Sequence, residues 1–220
     1  MNDNDKKLIA LFAGLDTASV SDALDKLGLA GQCYGVMPLD NYTKPVVGLA
    51  YTVRYETAGH PPGTVGDFID DVPAGHVVVI DNNGRTDCTV WGDIMTQLAG
   101  SKGIAATVID GVCRDVHKAL AEGYPIFSKG RFMRTGKDRV QVCAINQTVS
   151  IGSARVAAND IVIADASGVV VVPRARAEEV AATAQAIEAT ESAIRQAISA
   201  GQSLRQVREE LGYHLLQRKA

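Results

Sequence analysis

The sequence predicts an α/β fold: a parallel β-α-β layer, a second and mainly antiparallel layer of short strands, and a helical extension at the C-terminus. Three observations predict it. Between His76 and Ser128, apolar runs bounded by turn residues alternate with helix-length segments, the order that builds a parallel sheet with crossover helices. From Val140 to Val172 the apolar runs become short and closely spaced. From Arg174 to Ala200 an Ala-rich stretch places Val180, Ala184, Ile187, Ile194 and Ile198 at helical spacing.

The elements follow in order. Lys6–Leu15 has apolar residues at Leu8, Ile9, Leu11 and Phe12 and reads as a helix weakened at Gly14. Asp16 to Ser19 supplies capping oxygens for a second helix, Val20–Leu27, which stops at Gly28. Gly31–Pro38 reads as a loop. Val46–Glu56 alternates and is rich in β-branched and aromatic residues, so it reads as a strand. The Gly59-His60-Pro61-Pro62-Gly63 run breaks the chain, and Val65–Asp71 reads as a short helix.

His76–Asp81 contains the unbroken apolar run Val77-Val78-Val79-Ile80, expected of a strand covered on both faces. A polar loop, Asn82–Trp91, leads to helix Asp93–Lys102. Strand Ala105–Asp110, turn Gly111–Asp115, helix Val116–Glu122 and strand Pro125–Ser128 complete the parallel part. Val140–Ile145, Gln147–Ile151, Ala154–Val156, Ile161–Asp165 and Gly168–Val172 form the second layer. Pro173 closes it, which sets a domain at 1–173 and the extension at 174–220, with a further short helix at Ser203–Leu211.

Composition bounds the function. Hydrophobic residues make up 46% and charged residues 21%, as in ordinary globular chains, and the formal charge of −3 lacks the basic excess of a nucleic-acid binder. No apolar run approaches bilayer length and the N-terminus has no signal-like apolar core, so no membrane or nucleic-acid partner and a cytoplasmic location are expected. Cys33, Cys88, Cys113 and Cys143 form no C-x-x-C pair, and His60, His76, His117 and His214 are scattered. A zinc knuckle and a histidine-built metal site are therefore disfavoured.

The chemistry concentrates between Trp91 and Asp115. Gly92-Asp93-Ile94-Met95 opens a helix, where backbone N–H groups suit a carboxylate; taken alone, Asp93 reads first as the cap of that helix. Asp110-Gly111-Val112-Cys113-Arg114-Asp115 follows the next strand, at the carboxyl end where open α/β sheets bind ligands. Arg114 is suited to clamp a carboxylate and stabilise a developing enolate. Asp115 is suited to hold Mg²⁺ or Mn²⁺ through one oxygen, with waters and substrate completing the shell. The alternative is a surface Arg–Asp pair that caps Val116–Glu122. Two such turns on consecutive β-α units favour a site.

Gly92-Asp93, the run Gly103 to Asp115, Gly123-Tyr124-Pro125-Ile126-Phe127 and Asp160 to Pro173 resemble the core of the RraA-like superfamily, roughly from Val46 to Pro173. That superfamily includes 4-hydroxy-4-methyl-2-oxoglutarate aldolases and regulators that inhibit ribonuclease E. The resemblance implies a layered β/β/α fold assembled as trimers or hexamers. It also implies a divalent-metal-dependent lyase that cleaves a 2-oxo acid to pyruvate and decarboxylates oxaloacetate. By that resemblance Asp115 is the metal ligand and Arg114 binds the substrate carboxylate and keto oxygen. Asp93 works through a water of the metal's shell, and the start of the helix, Gly92 to Met95, holds the pyruvyl carboxylate. A glutamate from the extension of a neighbouring subunit approaches that water shell. Glu191, on the apolar seam, is preferred for that role over a plain helix-surface glutamate, with Glu188 the other candidate.

Arg85 and Asp87 are candidates for the distal end of the substrate, against a plain role in ordering their loop. Trp91 reads as packing. Cys113 and Cys88 lack a histidine base, Lys102 and Lys118 read as helix-surface lysines, and no G-x-G-x-x-G exists for a nucleotide-type cofactor. The alternative function is a non-enzymatic regulator of the ribonuclease E inhibitor type. The resemblance implies that such regulators are compact and lack the stretch after Pro173.

Overall fold

The computed structural model describes residues 1–216. Its centre is one mixed sheet in the order β1-β5-β4-β3-β2-β9-β10. The strands are β1 Met37–Pro38, β2 Val46–Thr57, β3 His76–Thr89, β4 Ala106–Cys113, β5 Ile126–Arg131, β9 Ile161–Asp165 and β10 Gly168–Val172. Strands β2 to β5 run parallel, and the valine run of β3 and the whole of β4 are buried on both faces, as their β-branched residues require. β6 (Val140–Ile145) pairs antiparallel with the far half of β2, whose near half pairs with β9.

Side-chain alternation sorts the core into two faces. Val78, Ile80, Ile109 and Ile126 meet α3 (Asp93–Lys102) and α4 (Val116–Glu122). On the same face Leu49, Ile161, Ile163, Val170 and Val172 meet α1 (Asp3–Ala10), α2 (Thr17–Lys26) and α5 (Ala177–Ser199). The opposite face, Val77, Val79, Ala106, Val108 and Val162, is covered by the hairpin of β7 (Val149–Ile151) and β8 (Ala154–Val156). Hairpin, sheet and helices make the β/β/α layering. A last helix, α6 (Leu204–Glu210), packs on α5.

Several expectations are corrected. The second layer is only the β7–β8 hairpin; β6, β9 and β10 join the main sheet, where antiparallel pairing completes both halves of the long β2. The supposed loop Asn82–Trp91 continues β3 through Thr89, with two shifts of register against β4 and left-handed conformations at Asn83 and Gly84. Its polar side chains disguise a strand whose main chain still pairs. The expected turn at Gly111 is likewise strand as far as Cys113.

Gly31–Pro38, read as a loop, links the two edges of the sheet. The Cys33 N–H donates to Val169 O at 3.0 Å, the Val171 N–H donates to Gly31 O at 2.8 Å, and Met37 and Pro38 pair with β5. The first helix begins at Asp3 rather than Lys6, fixed by an Asn2–Asp5 capping box, and ends at Ala10. In α5 the seam holds through Ile194, whereas Ile198 is exposed. This helix packs on α2 of its own chain.

His76, at the start of β3, is buried, and loss of solvent pushes its pKa below the usual histidine value. Unfolding releases that constraint, so the unfolded chain binds more protons as the pH drops through about 6.5. Thermal melts followed by circular dichroism are expected to show a melting temperature that falls from pH 7.5 to pH 5.5. The fall is expected to be shallower in His76→Gln.

Candidate active site

The two turns meet because β3 and β4 are parallel neighbours and each feeds a helix on the same face. The first turn is anchored by Trp91. Its buried indole stacks on Tyr124 at 6.2 Å and donates to Thr96 Oγ1 at 3.0 Å, while Thr89 Oγ1 donates to Trp91 O at 2.8 Å. The second turn is tied to the first by the Arg114 N–H, which donates to Trp91 O at 3.0 Å. Trp91 thus supports the site, and it also lines the cavity on the α3 side.

Asp115 is a left-handed residue at φ 55°, ψ 34°, a conformation that costs a non-glycine residue free energy and often marks functional turns. Its carboxylate does not cap α4. It turns back instead: Oδ2 accepts from the Asp93 N–H at 3.3 Å and lies 3.3 Å from Arg114 Nε. A Cβ on Gly92 would stand 2.8 Å from that same oxygen and 3.3 Å from Arg114 Nε. Only glycine admits so close an approach.

Asp93 does not cap either. The N-cap of α3 is Gly92, without a side-chain bond, and the Asp93 carboxylate forms an ion pair with Lys118. That ammonium holds the Asp93 carboxyl below its usual range, and Asp93 in turn holds the Lys118 ammonium above its own. Asp93, Asp115, Arg114 and Lys118 form a compact quartet of two anions and two cations.

Arg114 is the shared wall of two cavities. One, about 230 Å³, lies on the α3 side between Val65, Gly92, Ile94, Met95 and Thr135. The other, about 300 Å³, lies on the β5 side and is bounded by Asp115, Val116, Arg131, Phe132 and Met133. A larger cavity, about 790 Å³, lies elsewhere, between the start of α2, Gly31–Met37 and β10, and no charged side chain is among its lining residues.

The donor set suits a hard divalent ion. Such an ion binds through one or two carboxylates and keeps most of its waters, and the partly exposed Asp115 carboxylate, for which Gly92 leaves room, offers that. Among the described residues no group of three or more His, Cys, Asp or Glu forms a closed cage.

Other sequence candidates lie apart. Arg85 and Asp87 pair with each other at 2.9 Å and line neither cavity beside Arg114. Glu191 and Glu188 both pair with Arg195 on α5, on the part of the helical layer built with α2. Cys113 and Cys88 are buried, and burial pushes both thiols up, against a nucleophilic role. Lys102 reaches the Asp70 carbonyl.

Two residues escaped the sequence. Lys118 reads as a helix-surface lysine, and its place in the first turn of α4, three residues after Asp115, does not say whether it faces water or a carboxylate. Arg131, which donates to Leu39 O at 3.1 Å, arrives through the pairing of Cys113 with Arg131, which no local pattern reveals.

A model of the RraA-like family, described as Aldolase/RraA, matches residues 17–171. The chain belongs to the RraA-like family. An RraA-like relative in Legionella pneumophila, Protein DlpA, is 38% identical over 215 residues, which are 96% of this chain and 35% of DlpA. The chain therefore spans about a third of the length of that protein.

A Halalkalibacterium halodurans relative named "Putative 4-hydroxy-4-methyl-2-oxoglutarate aldolase" is 34% identical, covering 87% of this chain and 88% of its own. Among solved structures, an uncharacterised protein of Pseudomonas syringae pv. tomato superposes with a TM-score of 0.86 at 43% identity, covering 92% of this chain and 97% of that one. Streptomyces coelicolor RraAS2, described as an unusual member of the RNase ES inhibitor RraA family, superposes with a TM-score of 0.78 at 27% identity. It covers 87% of this chain and 96% of its own. Residues 1–173 are fewer than that share of 220, so the RraA-like inhibitor family also contains a chain matching part of the extension. The stretch after Pro173 does not separate aldolase from regulator.

Proposed function

We propose that this chain is a divalent-metal-dependent carbon–carbon lyase acting on 2-oxo acids. It would release pyruvate by retro-aldol cleavage of substrates of the 4-hydroxy-4-methyl-2-oxoglutarate type and decarboxylate oxaloacetate. The observation that carries the proposal is the Arg114–Asp115 turn, bent back onto Gly92 and Asp93 beside two cavities.

Asp115 would hold the ion, Mg²⁺ or Mn²⁺, which when bound supplies Lewis-acid polarisation of the 2-oxo group. The first turn of α3, Gly92 to Met95, would receive the C1 carboxylate at its N–H groups. Arg114 would orient the carboxylate and the C2 oxygen. In oxaloacetate the C3–C4 bond breaks, CO₂ leaves, and the electron pair becomes the pyruvate enolate, whose oxygen Arg114 stabilises. In the aldol substrate the C4 hydroxyl gives up its proton as the same bond breaks. Asp93 would accept that proton through one water and return one to C3.

The distal end of the substrate would extend into the cavity beside Arg131. Glu191 of a neighbouring copy, brought by trimer or hexamer assembly, would complete the proton-handling groups.

The test is pyruvate release from oxaloacetate and from 4-hydroxy-4-methyl-2-oxoglutarate. Turnover is expected with Mg²⁺ or Mn²⁺, abolished by EDTA and restored by excess metal. A folded protein without metal-dependent turnover of any 2-oxo acid overturns the proposal.

The likeness to RraAS2 supports a second reading, a protein-binding regulator of a ribonuclease. It predicts inhibition of ribonuclease E that survives replacement of Asp115.

A further inference from the structure

The quartet holds one member that lines neither cavity beside Arg114. Lys118 is absent from both walls, yet its ammonium is the partner of the Asp93 carboxylate. Its own backbone N–H donates to Asp115 O at 3.0 Å, so the residue is fixed to the turn that carries Asp115. The two aspartates are themselves joined, through the Asp93 N–H and Asp115 Oδ2 at 3.3 Å. Two carboxylates on turns joined in this way would otherwise repel each other and leave the Asp93 side chain free to choose among rotamers. Arg114 Nε offsets Asp115 at 3.3 Å, and nothing but Lys118 forms an ion pair with Asp93 among the described residues.

We propose that Lys118 is a positioning residue. It fixes the Asp93 carboxylate on the α4 side of the site and keeps the quartet electrically neutral before cation and substrate arrive. The inference rests on the lyase reading for its kinetic consequence but not for its electrostatic one. Charge balance has two opposed effects. It weakens the attraction of the site for a divalent cation, because one of the two carboxylates is already engaged. It also stops the aspartates from presenting a bare anionic face to an anionic substrate. Because Lys118 acts through Asp93 and lines no cavity, its loss should appear in turnover and not in substrate affinity.

The experiment compares wild type, Lys118→Met and Lys118→Arg. Methionine keeps the length and apolar stem without the charge, and arginine restores the charge. Two readouts are taken on each protein: steady-state kinetics of oxaloacetate decarboxylation, and Mn²⁺ binding followed by electron paramagnetic resonance without substrate. Lys118→Met is expected to lower kcat by about tenfold through misplacement of Asp93, with KM within twofold of wild type. It is also expected to bind Mn²⁺ about threefold more tightly, the scale of one partly exposed ion pair removed. Lys118→Arg is expected to recover both.

A lower melting temperature with kcat and Mn²⁺ affinity unchanged would reduce Lys118 to a tether between α3 and α4 and overturn the inference. So would equal Mn²⁺ affinity in all three proteins, absence of binding included. If the wild type releases no pyruvate, the lyase reading fails, and the Mn²⁺ titration alone decides the role of Lys118.

Discussion

Replacing Asp115 with asparagine is expected to lower kcat/KM for pyruvate release about a thousandfold while the protein keeps its melting temperature. Asparagine is the informative choice because the position is left-handed, at φ 55°. Asparagine tolerates that region almost as well as aspartate, whereas alanine would add backbone strain to the loss of charge. The substitution removes one anionic oxygen that faces Arg114 Nε and the Asp93 N–H, and it leaves β4 and α4 in place. Activity measured across a Mg²⁺ titration distinguishes weak ion binding, which excess metal rescues, from loss of the site. Activity equal to wild type at ordinary metal concentration would remove Asp115 from the proposed chemistry.

Gly92→Ala is expected to cost about a hundredfold in kcat/KM, the scale associated with displacing a reacting group by an ångström or so. The reasoning separates fold from site. Gly92 has φ −146° and ψ −166°, extended backbone open to any residue, so alanine imposes no torsional strain. What it does impose is a methyl group 2.8 Å from Asp115 Oδ2 and 3.3 Å from Arg114 Nε. These side chains are each partly exposed and can yield toward solvent, so the protein should fold with the quartet pried apart. Kinetics alongside thermal melts check both halves of the expectation. A variant that retains full activity would mean that the close approach of the two turns is incidental.

Legibility in the sequence followed the range of the forces involved. Helices α3 and α4 were readable because each ends on a left-handed glycine, Gly103 and Gly123, and begins at a turn rich in small and acidic residues. The unbroken valine run of β3 identified a strand buried on both faces. The pairing of β2 with β9 across more than a hundred residues left no local mark, because hydrophobic alternation says which face a strand buries and not which strand lies beside it.

The same holds at the site. Two turns on consecutive β-α units had to lie side by side once the strands were parallel neighbours, so Gly92, Asp93, Arg114 and Asp115 were readable together. Lys118 was not, because a lysine on the outer turn of a helix has the same local pattern whether it faces water or a carboxylate. Neither carboxylate caps its helix: Asp93 pairs with Lys118 across the site, while Asp115 stands at the N-cap of α4, forms the expected pair with Arg114 and also accepts from the Asp93 N–H.

The long reach of β2 and α2 also bears on how the chain is made. Leu24 and Val20 are buried against Ile161, Ile163, Val180 and Ile187, partners that lie far toward the other end of the chain. At ordinary rates of translation, on the order of ten to thirty seconds pass between the emergence of these two sets from the ribosome. Throughout that interval the first two helices have only each other and Leu49 of β2 for native cover and lack what β9 and α5 supply. Val180 and Ile187, in the first half of α5, supply the last part of that cover.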